Sequence, residues 1–546
     1  MNQILSKRDS FRGRNAAGRG KGAYDIAIVG SGVSCAYTLI HCVALLEKER
    51  LPKPVKVVVF EKTGEFWSGV PYGSRSGRHA LLISPLDEFL PDNVEREAFA
   101  RWLSANRNRI FADPGHGDYE LSAKWHRANE KAISAGLWDD VYVPRFAFGL
   151  YVQQRLTAVL ERAREKGMLE CDLVVGKVMD IRRVKGQFRL AVATATGVTQ
   201  DVFAEKTILA IGSPANSATK RRLADGAVAK VCFVDGMYEP SLDGNIERIK
   251  EALAHAKGGR GEVLIVGANA GTLEALYCLT NCRKANALIS KFRVISPDVE
   301  FPHRIRIGGC APGFSPERLR RLVEAGARTA RQIFDAVAAD VARAAGMQVN
   351  IADIYGDISK GMLTALNQLG VAEQKKFVTR YGMEIGRLQR RAGGEYLDVV
   401  DALKARNRLA MLRGRVVRCN AGRDRGVVLE IRGEGNEKRT VAFPMVRAVI
   451  CCAGFQGVTA TSSPLIQALI RRKLCVPNAS KRGFLINEKF EASKGLYVMG
   501  PLVAGNLAGA IRIWHAESCN RIAGISRMLA EILVRGLRRN SPRRRA

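Results

Sequence analysis

The stretch from Tyr24 to Glu61 constrains the fold more than any other part of the chain. An apolar strand from Ile26 to Val29 leads into a turn that begins at Gly30, and a helix-like run follows from Cys35. A second apolar strand then ends at Glu61. This order of strand, glycine turn, helix and strand binds dinucleotides, because glycine lets the backbone close on a pyrophosphate at the helix N-terminus. The sequence therefore predicts a dinucleotide-binding unit here.

The predicted contacts of this first nucleotide are Gly30, Gly32, Ser34, Glu61 and Lys62. The glycines and Ser34 are expected at the pyrophosphate, and Glu61 is expected to accept the two hydroxyls of an adenosine ribose. Cys35 stands where a third glycine or alanine is usual, and its small thiol should still let helix and strand approach. An ordinary glycine-rich loop is the alternative interpretation, but the two flanking strands and the acid favour nucleotide binding.

A second strand, glycine turn and helix begin at Gly261. The turn keeps Gly267, but Asn269 and Thr272 replace the later glycines, so it is a degenerate copy of the first turn. Two such units in one chain predict two bound nucleotides.

The residue after the second strand of each unit distinguishes the two nucleotides. Glu61 suits a free ribose, whereas Ser296 carries no carboxylate that would repel a 2′-phosphate. Arg304 and Arg306 lie close to Ser296 in the sequence. We therefore expect NADPH rather than NADH at the second site.

Three apolar strands that end at a glycine predict where the chain passes a bound cofactor. Gly212 is expected beside the first nucleotide, Gly454 beside the second, and Gly500 beside the pyrimidine edge of a flavin. Asn506 and Leu507 follow Gly500 and are included among the predicted contacts.

The helix predicted from about Trp514 to Val534 would direct its first-turn amides at the pyrimidine edge of the flavin ring, where they stabilise negative charge. A glycine-rich aromatic loop from Trp67 through Tyr72 to Gly73 is expected to cover a planar ring, with a surface hairpin as the alternative. Val178, in a small antiparallel element, completes the predicted contacts.

Length and composition describe an ordinary globular protein. The 546 residues predict two or three lobes, and 47% hydrophobic with 25% charged residues is typical of globular chains in water. Apolar runs long enough to span a membrane and a secretory leader are missing, so we expect a cytoplasmic protein.

The formal net charge of +33 invites a nucleic-acid interpretation. Much of it is scattered, and only the two ends, residues 1–22 and 536–546, concentrate it as basic tails that we expect to be disordered. Nucleic-acid binding is not favoured, because basic clusters interleaved with aromatic residues are missing.

The twelve cysteines lack the spacing of a zinc site or of a thiol redox pair, so most are expected to be buried thiols. The seven histidines are dispersed, and neither a His-Glu-x-x-His nor a Gly-x-Ser-x-Gly motif occurs. The sequence therefore predicts no metal site and does not favour a hydrolase.

From about residue 23 to residue 534 the chain resembles the bacterial FAD/NAD(P)-binding protein family that includes flavin-dependent urate hydroxylase-like proteins and amino-acid N-oxidising monooxygenases. Besides the turn at Gly30, the motifs that carry the resemblance are Gly69-Val70-Pro71-Tyr72-Gly73, Phe99-Ala100-Arg101-Trp102-Leu103, Val143-Pro144-Arg145 and Leu496-Tyr497-Val498-Met499-Gly500-Pro501-Leu502. The resemblance implies FAD at the first site, a nicotinamide cofactor at the second, and usually oxygen as the oxidant of the flavin. It does not fix the substrate.

We therefore predict an α/β fold with two dinucleotide-binding, Rossmann-like domains of the two-nucleotide flavoprotein type and an inserted helical region. The FAD-binding domain is expected to be discontinuous, over residues 23–215 and 446–535. The NAD(P)-binding domain is expected over 216–314 and 413–445, with the helical insertion at 315–412.

The leading functional hypothesis is an NADPH-dependent flavin monooxygenase that uses oxygen on a small substrate, possibly at nitrogen. Arg145 or His515 is a candidate to orient substrate or nicotinamide; a surface arginine and a helix-capping histidine are the alternatives. Three other functions stay open: an NAD(P)H:acceptor reductase that inserts no oxygen, a flavoprotein acting on RNA or at an anionic surface, and a flavin-binding protein without turnover.

Overall fold

The computed structural model describes residues 23–49, 51–111, 121–194, 197–214, 231–311, 313–422, 426–433, 435–507, 509, 511–514 and 519–540. The whole predicted N-terminal tail, residues 1–22, and the last six residues of the predicted C-terminal tail, 541–546, lie outside these ranges. The predicted catalytic candidate His515 also lies outside them.

The strands of the described residues, in chain order, are β1 (Tyr24–Val29), β2 (Val55–Glu61), β3 (Leu169–Val184), β4 (Gln187–Thr194), β5 (Thr199–Leu209), β6 (Cys232–Val234), β7 (Gly261–Val266), β8 (Ile289–Ser296), β9 (His303–Ile305), β10 (Arg391–Gly393), β11 (Leu409–Arg413), β12 (Arg415–Ala421), β13 (Val427–Arg432), β14 (Lys438–Phe443), β15 (Val446–Cys451), β16 (Glu491–Ser493) and β17 (Leu496–Val498).

The α-helices are α1 (Val33–Leu46), α2 (Gly69–Tyr72), α3 (Leu86–Phe89), α4 (Asn93–Phe111), α5 (Leu121–Ala135), α6 (Arg145–Glu165), α7 (Leu242–Ala254), α8 (Ala270–Asn281), α9 (Arg283–Leu288), α10 (Glu317–Ala325), α11 (Ala330–Gly346), α12 (Tyr355–Gln368), α13 (Val371–Lys376), α14 (Gly382–Leu388), α15 (Gly394–Ala405), α16 (Pro464–Arg471) and α17 (Cys519–Asn540). Short 3₁₀ turns cover Ser74–Ser76, Lys257–Gly259 and Gly500–Val503, and Phe377–Tyr381 is a π-helical turn.

The first compact unit contains the described residues up to 69, those from 149 to 214 and those from 457 onward. Its central strands are parallel in the order β3, β2, β1, β5, β17. The strands β1 and β2 are nearly continuous runs of buried apolar residues, as expected for a parallel sheet that is covered on both faces. The strands β3 and β5 are long. One part of each pairs within the parallel sheet, and the other part pairs with β4, which forms an antiparallel meander.

The second compact unit contains the described residues 70–148 and 215–456. Its parallel sheet has the order β11, β8, β7, β15, β6. The antiparallel meander β12–β13–β14 packs on this sheet through apolar side chains that include Leu429, Ile431, Leu264 and Val449. The helices α10 to α14 follow β9 in the chain and precede β10, the strand with which β9 pairs.

The predicted α/β class with two nucleotide-binding folds is what these two sheets show. The predicted domain boundaries differ from the observed units at three places. Residues 70–148 belong with the second unit, although we expected them in the FAD-binding domain. The strand β15, placed after the boundary at residue 446, is an inner strand of the second sheet. The strand β11 also belongs to that sheet, although its first residues fall in the predicted helical insertion.

The register of each sheet brings the ends of three strands to one level. In the first unit Val29 of β1 lies opposite Phe60 of β2 and Leu209 of β5. In the second unit Val266 of β7 lies opposite Ile295 of β8 and Cys451 of β15. Ligands of open parallel sheets bind at such carboxyl ends, so each unit has one candidate nucleotide site.

Candidate functional site

Gly30 fixes the shape of the first turn. Its φ is +93°, and its amide donates to the carbonyl of Phe60 at 2.9 Å. A Cβ at this position would stand 2.5 Å from the carbonyl oxygen of Ala210, the residue that follows β5. Only glycine therefore lets the turn lie against the end of β5, as predicted for a turn that closes on a pyrophosphate.

Glu61 is buried at the end of β2 and is held by hydrogen bonds. Its Oε2 accepts from the Ser31 hydroxyl at 2.9 Å and from the Ser31 amide at 3.4 Å. Its Oε1 accepts from the amide and hydroxyl of Thr63 at 3.0 and 2.9 Å. The carboxylate is thus fixed beside the glycine turn, where the ribose contact was predicted. Lys62 next to it is exposed.

The helix α1 begins after Gly32, which is extended and has no side chain that could cap the first-turn amides. A Cβ on Gly32 would meet the Cα of Gly69 at 3.7 Å. Ser34 lies buried in the first turn of α1, and its carbonyl accepts from the Thr38 hydroxyl at 2.7 Å. Cys35 is buried in the tightly packed position that we expected, and burial raises the pKa of its thiol. This helix N-terminus can receive an anion.

Trp67 lies against the first turn. Its backbone has a φ of +80°, and its amide donates to the carbonyl of Ser31 at 2.7 Å. The Trp67 ring is buried, and Gln153 fixes the preceding residue through the Phe66 carbonyl at 3.2 Å. A backbone with a positive φ is strained for tryptophan, so the hydrogen bond to Ser31 and the surrounding packing must hold Trp67 in this conformation.

Tyr72 does not lie in the same unit as Trp67. It ends the short helix α2 in the second unit, where its ring makes edge contacts with Phe148 at 5.1 Å and Phe89 at 6.1 Å. The predicted loop from Trp67 to Gly73 is therefore in part a helical turn. Its role in covering a ring stays a prediction.

The remaining predicted contacts of the first site lie in the first unit. Val178 is buried in β3, where it pairs with Val192 of β4. Gly212, three residues after β5 ends, has a positive φ, and among the described residues no atom beyond its chain neighbours lies within 4 Å of where a Cβ would stand. Gly500 begins the 3₁₀ turn after β17. Leu507 is half-buried.

The side chain of Asn506 is used internally. Its amide group donates to the carbonyls of Phe484 and Val503 at 2.8 and 2.7 Å, and its Oδ1 accepts from the Ile486 amide at 3.2 Å. Asn506 therefore fixes the loop that carries Leu507, and any effect of its side chain on a cofactor would act through that loop. The last helix, α17, covers Cys519–Asn540, and Trp514, its predicted start, is not helical; residues 515–518 lie outside the described ranges.

The second turn repeats the first around Gly267. Its φ is +115°, its amide donates to the Ile295 carbonyl at 2.8 Å, and a Cβ would stand 2.3 Å from the carbonyl oxygen of Cys452. The two residues that replace the later glycines of the motif, Asn269 and Thr272, have a structural role. Asn269 caps α8 by accepting from the Gly271 amide at 3.1 Å, and the Thr272 hydroxyl donates to the Gly267 carbonyl at 2.8 Å. Gly454 lies beside Asn269: a Cβ added to Gly454 would stand 3.8 Å from Asn269 Nδ2.

Ser296 is buried at the end of β8, at the place equivalent to Glu61. The two arginines expected near it are paired elsewhere. Arg304 binds Asp398 and Asp401 at 2.6 and 2.7 Å, and Arg306 pairs with Asp353 at 3.4 Å. A third arginine, Arg390, contacts the second turn directly, because its Nη1 donates to the Ala268 carbonyl at 3.3 Å. Sequence reasoning missed Arg390, which is 122 residues from Ala268.

Arg145 is buried, so the alternative of a surface arginine is wrong. Its Nε donates to the Leu81 carbonyl at 2.7 Å, its Nη1 donates to the Tyr238 hydroxyl at 3.1 Å, and its Nη2 pairs with Glu274 of α8. The Tyr238 hydroxyl donates to the other oxygen of Glu274. Tyr396 bonds both the amide and the carbonyl of Leu81, at 2.9 and 2.7 Å.

This network, Arg145–Glu274–Tyr238, commits the guanidinium of Arg145 to protein groups of the second unit. This network could not be predicted from local sequence patterns, because Glu274 and Tyr238 are 129 and 93 residues away from Arg145. The geometry favours a structural role for Arg145 over substrate orientation. It connects the segments around Leu81 and Arg145 with the helix that starts at the second nucleotide turn.

A pocket with an empty volume of about 410 Å³, part of it open to solvent, also lies in the second unit. Its walls include Arg78, His79, Phe111, Trp125, His126 and Phe146. Arg78 stacks on the Phe146 ring at 4.9 Å and donates to the Ile110 carbonyl at 3.2 Å. The pocket therefore combines aromatic walls with one cation.

His79 makes the stability of the protein depend on pH. Burial, and next the charge of Arg78, lower the pKa of His79 to about 4, below the unfolded value of about 6.5. Between these values the unfolded chain binds more protons, so the stability contributed by neutral His79 is present above pH 6.5 and is lost as the pH falls toward 4.

We predict that the wild type loses about 2 kcal/mol more unfolding free energy than His79→Gln between about pH 7.5 and about pH 4.5. Denaturant titrations of both proteins at the two pH values measure this difference. Equal losses in the two proteins would contradict the assignment of this pH dependence to His79.

Eight described cysteines are buried: Cys35, Cys42, Cys278, Cys282, Cys419, Cys451, Cys452 and Cys475. Burial raises the pKa of Cys42 and Cys475 to about 12, so these thiols are poor nucleophiles at neutral pH. This agrees with the prediction of inert thiols for most of the cysteines.

Across the ranges that the structure describes, no helix is both long enough and apolar enough to cross a membrane. Within the same ranges no three metal-ligating side chains come together.

The comparison with known structures concerns the fold. The reduced form of ornithine hydroxylase from Pseudomonas aeruginosa is similar to this chain with a TM-score of 0.55 and 12% identity, over 94% of this chain and 100% of that chain. The FAD-bound cadaverine monooxygenase of Erwinia amylovora has a TM-score of 0.53 and 11% identity, over 94% and 95%. The Kutzneria sp. 744 ornithine N-hydroxylase has a TM-score of 0.52 and 14% identity, over 95% and 100%. The predicted fold class is confirmed.

The comparison of sequences concerns the family. Residues 27–214 match the FAD-NAD(P)-binding family. Uncharacterized proteins of Mycobacterium tuberculosis and Mycobacterium bovis are each 32% identical to this chain over 521 residues, which cover 94% of this chain and 96% of the relative. The resemblance to bacterial FAD/NAD(P)-binding proteins is thereby confirmed. The chain belongs to the family of these mycobacterial proteins, and its residues 27–214 match the FAD-NAD(P)-binding family.

Proposed function

We propose that this protein is an FAD- and NADPH-dependent monooxygenase that hydroxylates a nitrogen atom of a small amine. One observation carries the proposal: the chain has two dinucleotide turns, and in each the first glycine has a positive φ and lies against the carbonyl that follows a third strand. Proteins with a similar fold include enzymes described as an ornithine hydroxylase and a cadaverine monooxygenase.

The first site fits FAD. The turn at Gly30 lies so close to the Ala210 carbonyl that only glycine fits there. No side chain caps the first-turn amides of α1, which would bind the pyrophosphate, and the Glu61 carboxylate beside the turn would accept the ribose hydroxyls. When bound there, FAD would supply the redox chemistry, namely hydride transfer from NADPH and the activation of molecular oxygen. Trp67, whose ring is buried and whose backbone amide donates to the carbonyl of Ser31, would limit the access of water to this turn.

The second site fits a nicotinamide cofactor. Gly267 lies equally close to the Cys452 carbonyl, and Asn269 and Gly454 lie beside this turn. Ser296 in place of a carboxylate leaves room for a 2′-phosphate, which supports NADPH over NADH.

Gly212, Gly500 and Leu507 are proposed as backbone and apolar contacts of the flavin. The cytoplasmic location expected from the sequence stays a prediction.

Spectroscopy and isotope labelling test the function. The purified protein is expected to be yellow, to lose its colour when NADPH is added without oxygen, and to regain it in air. With ornithine, lysine or cadaverine as candidate substrates and isotope-labelled oxygen gas, mass spectrometry is expected to find one labelled oxygen atom in the hydroxylated amine.

The same experiment separates the other functions. Bleaching by NADPH without label in any amine, and with stoichiometric hydrogen peroxide, would indicate an oxidase side reaction or a reductase that needs another acceptor. A yellow protein that NADPH does not bleach would indicate flavin binding without turnover. A colourless protein that takes up no added FAD would contradict the proposal altogether.

A further inference from the structure

The two glycine turns correspond residue by residue. In each, the amide of the first glycine donates to the next-to-last residue of the second strand, at 2.9 Å in the first unit and 2.8 Å in the second. The last residue of that strand is therefore equivalent in the two units. The equivalent pairs are Gly30 with Gly267, Ser31 with Ala268, and Glu61 with Ser296.

The groups that contact these equivalent positions have opposite charge. In the first unit the Glu61 carboxylate accepts from Ser31. In the second unit the guanidinium of Arg390 donates to the carbonyl of Ala268 at 3.3 Å. An acid at the ribose position selects free hydroxyls, whereas an arginine there accommodates a 2′-phosphate.

Arg390 is not fully used by protein groups. Its Nε is buried and has no hydrogen-bond partner in the described part of the chain. Its Nη2 is 3.7 Å from Asp298, a long ion pair. Burial lowers the pKa of Arg390 from its ordinary value, so the cation lies in an environment that would be stabilised by an added anion.

The acid Asp298, which lies near Arg390, is paired more closely with a different arginine. Asp298 lies two residues after Ser296, where a free carboxylate would repel a phosphate. Arg387 pairs with Asp298 at 3.2 Å and also with Glu384. Arg387 is therefore a positioning residue that holds Asp298, and Arg390 is the cation with spare donors.

From these contacts we propose that Arg390 binds the 2′-phosphate of NADPH. The selecting side chain thus follows helix α14, in the segment between β9 and β10, and does not come from the arginines Arg304 and Arg306, whose charges are paired with aspartates. The inference rests on the proposed function only in taking the turn at Gly267 as the NADPH site.

Ligand binding tests the inference without any catalytic readout. Isothermal titration of the FAD-loaded full-length protein compares 2′,5′-ADP with 5′-ADP, which differ only in the 2′-phosphate. We expect the wild type to bind 2′,5′-ADP at least about tenfold more tightly, since charge-assisted hydrogen bonds contribute more than neutral ones. In Arg390→Met this preference should disappear, while the affinity for 5′-ADP should stay within about twofold.

Two further variants make the result specific. Arg304→Met removes another guanidinium from the same unit and is expected to keep the preference. Asp298→Asn removes the nearby negative charge and is expected to strengthen the binding of 2′,5′-ADP, which a variant that merely fails to fold would not do.

A preference that survives in Arg390→Met would overturn the inference, and so would a wild type that binds the two nucleotides equally or binds neither. Because no oxygen chemistry is measured, these outcomes are independent of whether the protein proves to be a monooxygenase.

Discussion

Replacing Glu274 with glutamine is expected to lower the free energy of unfolding by about 3 kcal/mol, because it leaves the buried charge of Arg145 without its anion. Glutamine keeps the volume of the side chain, so the loss reports the charge and not a cavity. Tyr238 also loses its carboxylate acceptor, which adds to the loss. Urea unfolding followed by circular dichroism measures the effect, with the transition of each unit fitted separately.

An exposed ion pair of the same unit is the matched control. Glu324 pairs with Arg320 at 2.8 Å on the surface of α10, and Glu324→Gln is expected to cost less than about 0.5 kcal/mol. The double variant Glu274→Gln with Arg145→Met should be more stable than Glu274→Gln alone, because it removes the uncompensated cation. If Glu274→Gln cost no more than the surface control, the network would not be what holds Arg145.

Both nucleotide turns could be predicted from the sequence, because their geometry depends on residues that are close in the chain. A run of β-branched residues, a glycine and an amphipathic helix specify local backbone conformations, and Gly30 and Gly267 adopt the positive φ that the motif requires. The position of Glu61 at the end of β2 follows from the same local order.

The side chains that complete the second site could not be predicted, because they come from distant parts of the chain. Arg390 reaches Ala268 across 122 residues, and Arg145 reaches Glu274 across 129. Arg304 illustrates the converse: its closeness to Ser296 in sequence suggested a phosphate contact, but the fold places two aspartates of α15 against it. Burial and long-range pairing decide which arginines are available to a ligand, and neither can be inferred from the spacing of residues along the sequence.

Replacing Gly30 with alanine is expected to weaken FAD binding at least about 100-fold, because strain of about 3 kcal/mol falls on the turn that must close on the pyrophosphate. The new Cβ would stand 2.5 Å from the Ala210 carbonyl oxygen, at a φ of +93° that alanine rarely adopts. Since the neighbour is backbone and not a flexible side chain, either β5 or the turn must move. Titration of FAD into the apoprotein, followed by flavin fluorescence, measures the affinity.

Gly167→Ala is a control that introduces the backbone strain of a positive φ without a clash between the new Cβ and a neighbouring carbonyl. Gly167 lies between α6 and β3 with a φ of +64°, and in the described part of the chain no heavy atom beyond its chain neighbours lies within 4 Å of where a Cβ would stand. Alanine there is expected to lower the stability by about 1 kcal/mol and to leave the affinity for FAD unchanged. Full retention of FAD by Gly30→Ala would mean that the turn can shift away from Ala210 without losing the pyrophosphate, and the first turn would then not be the feature that fixes the flavin site.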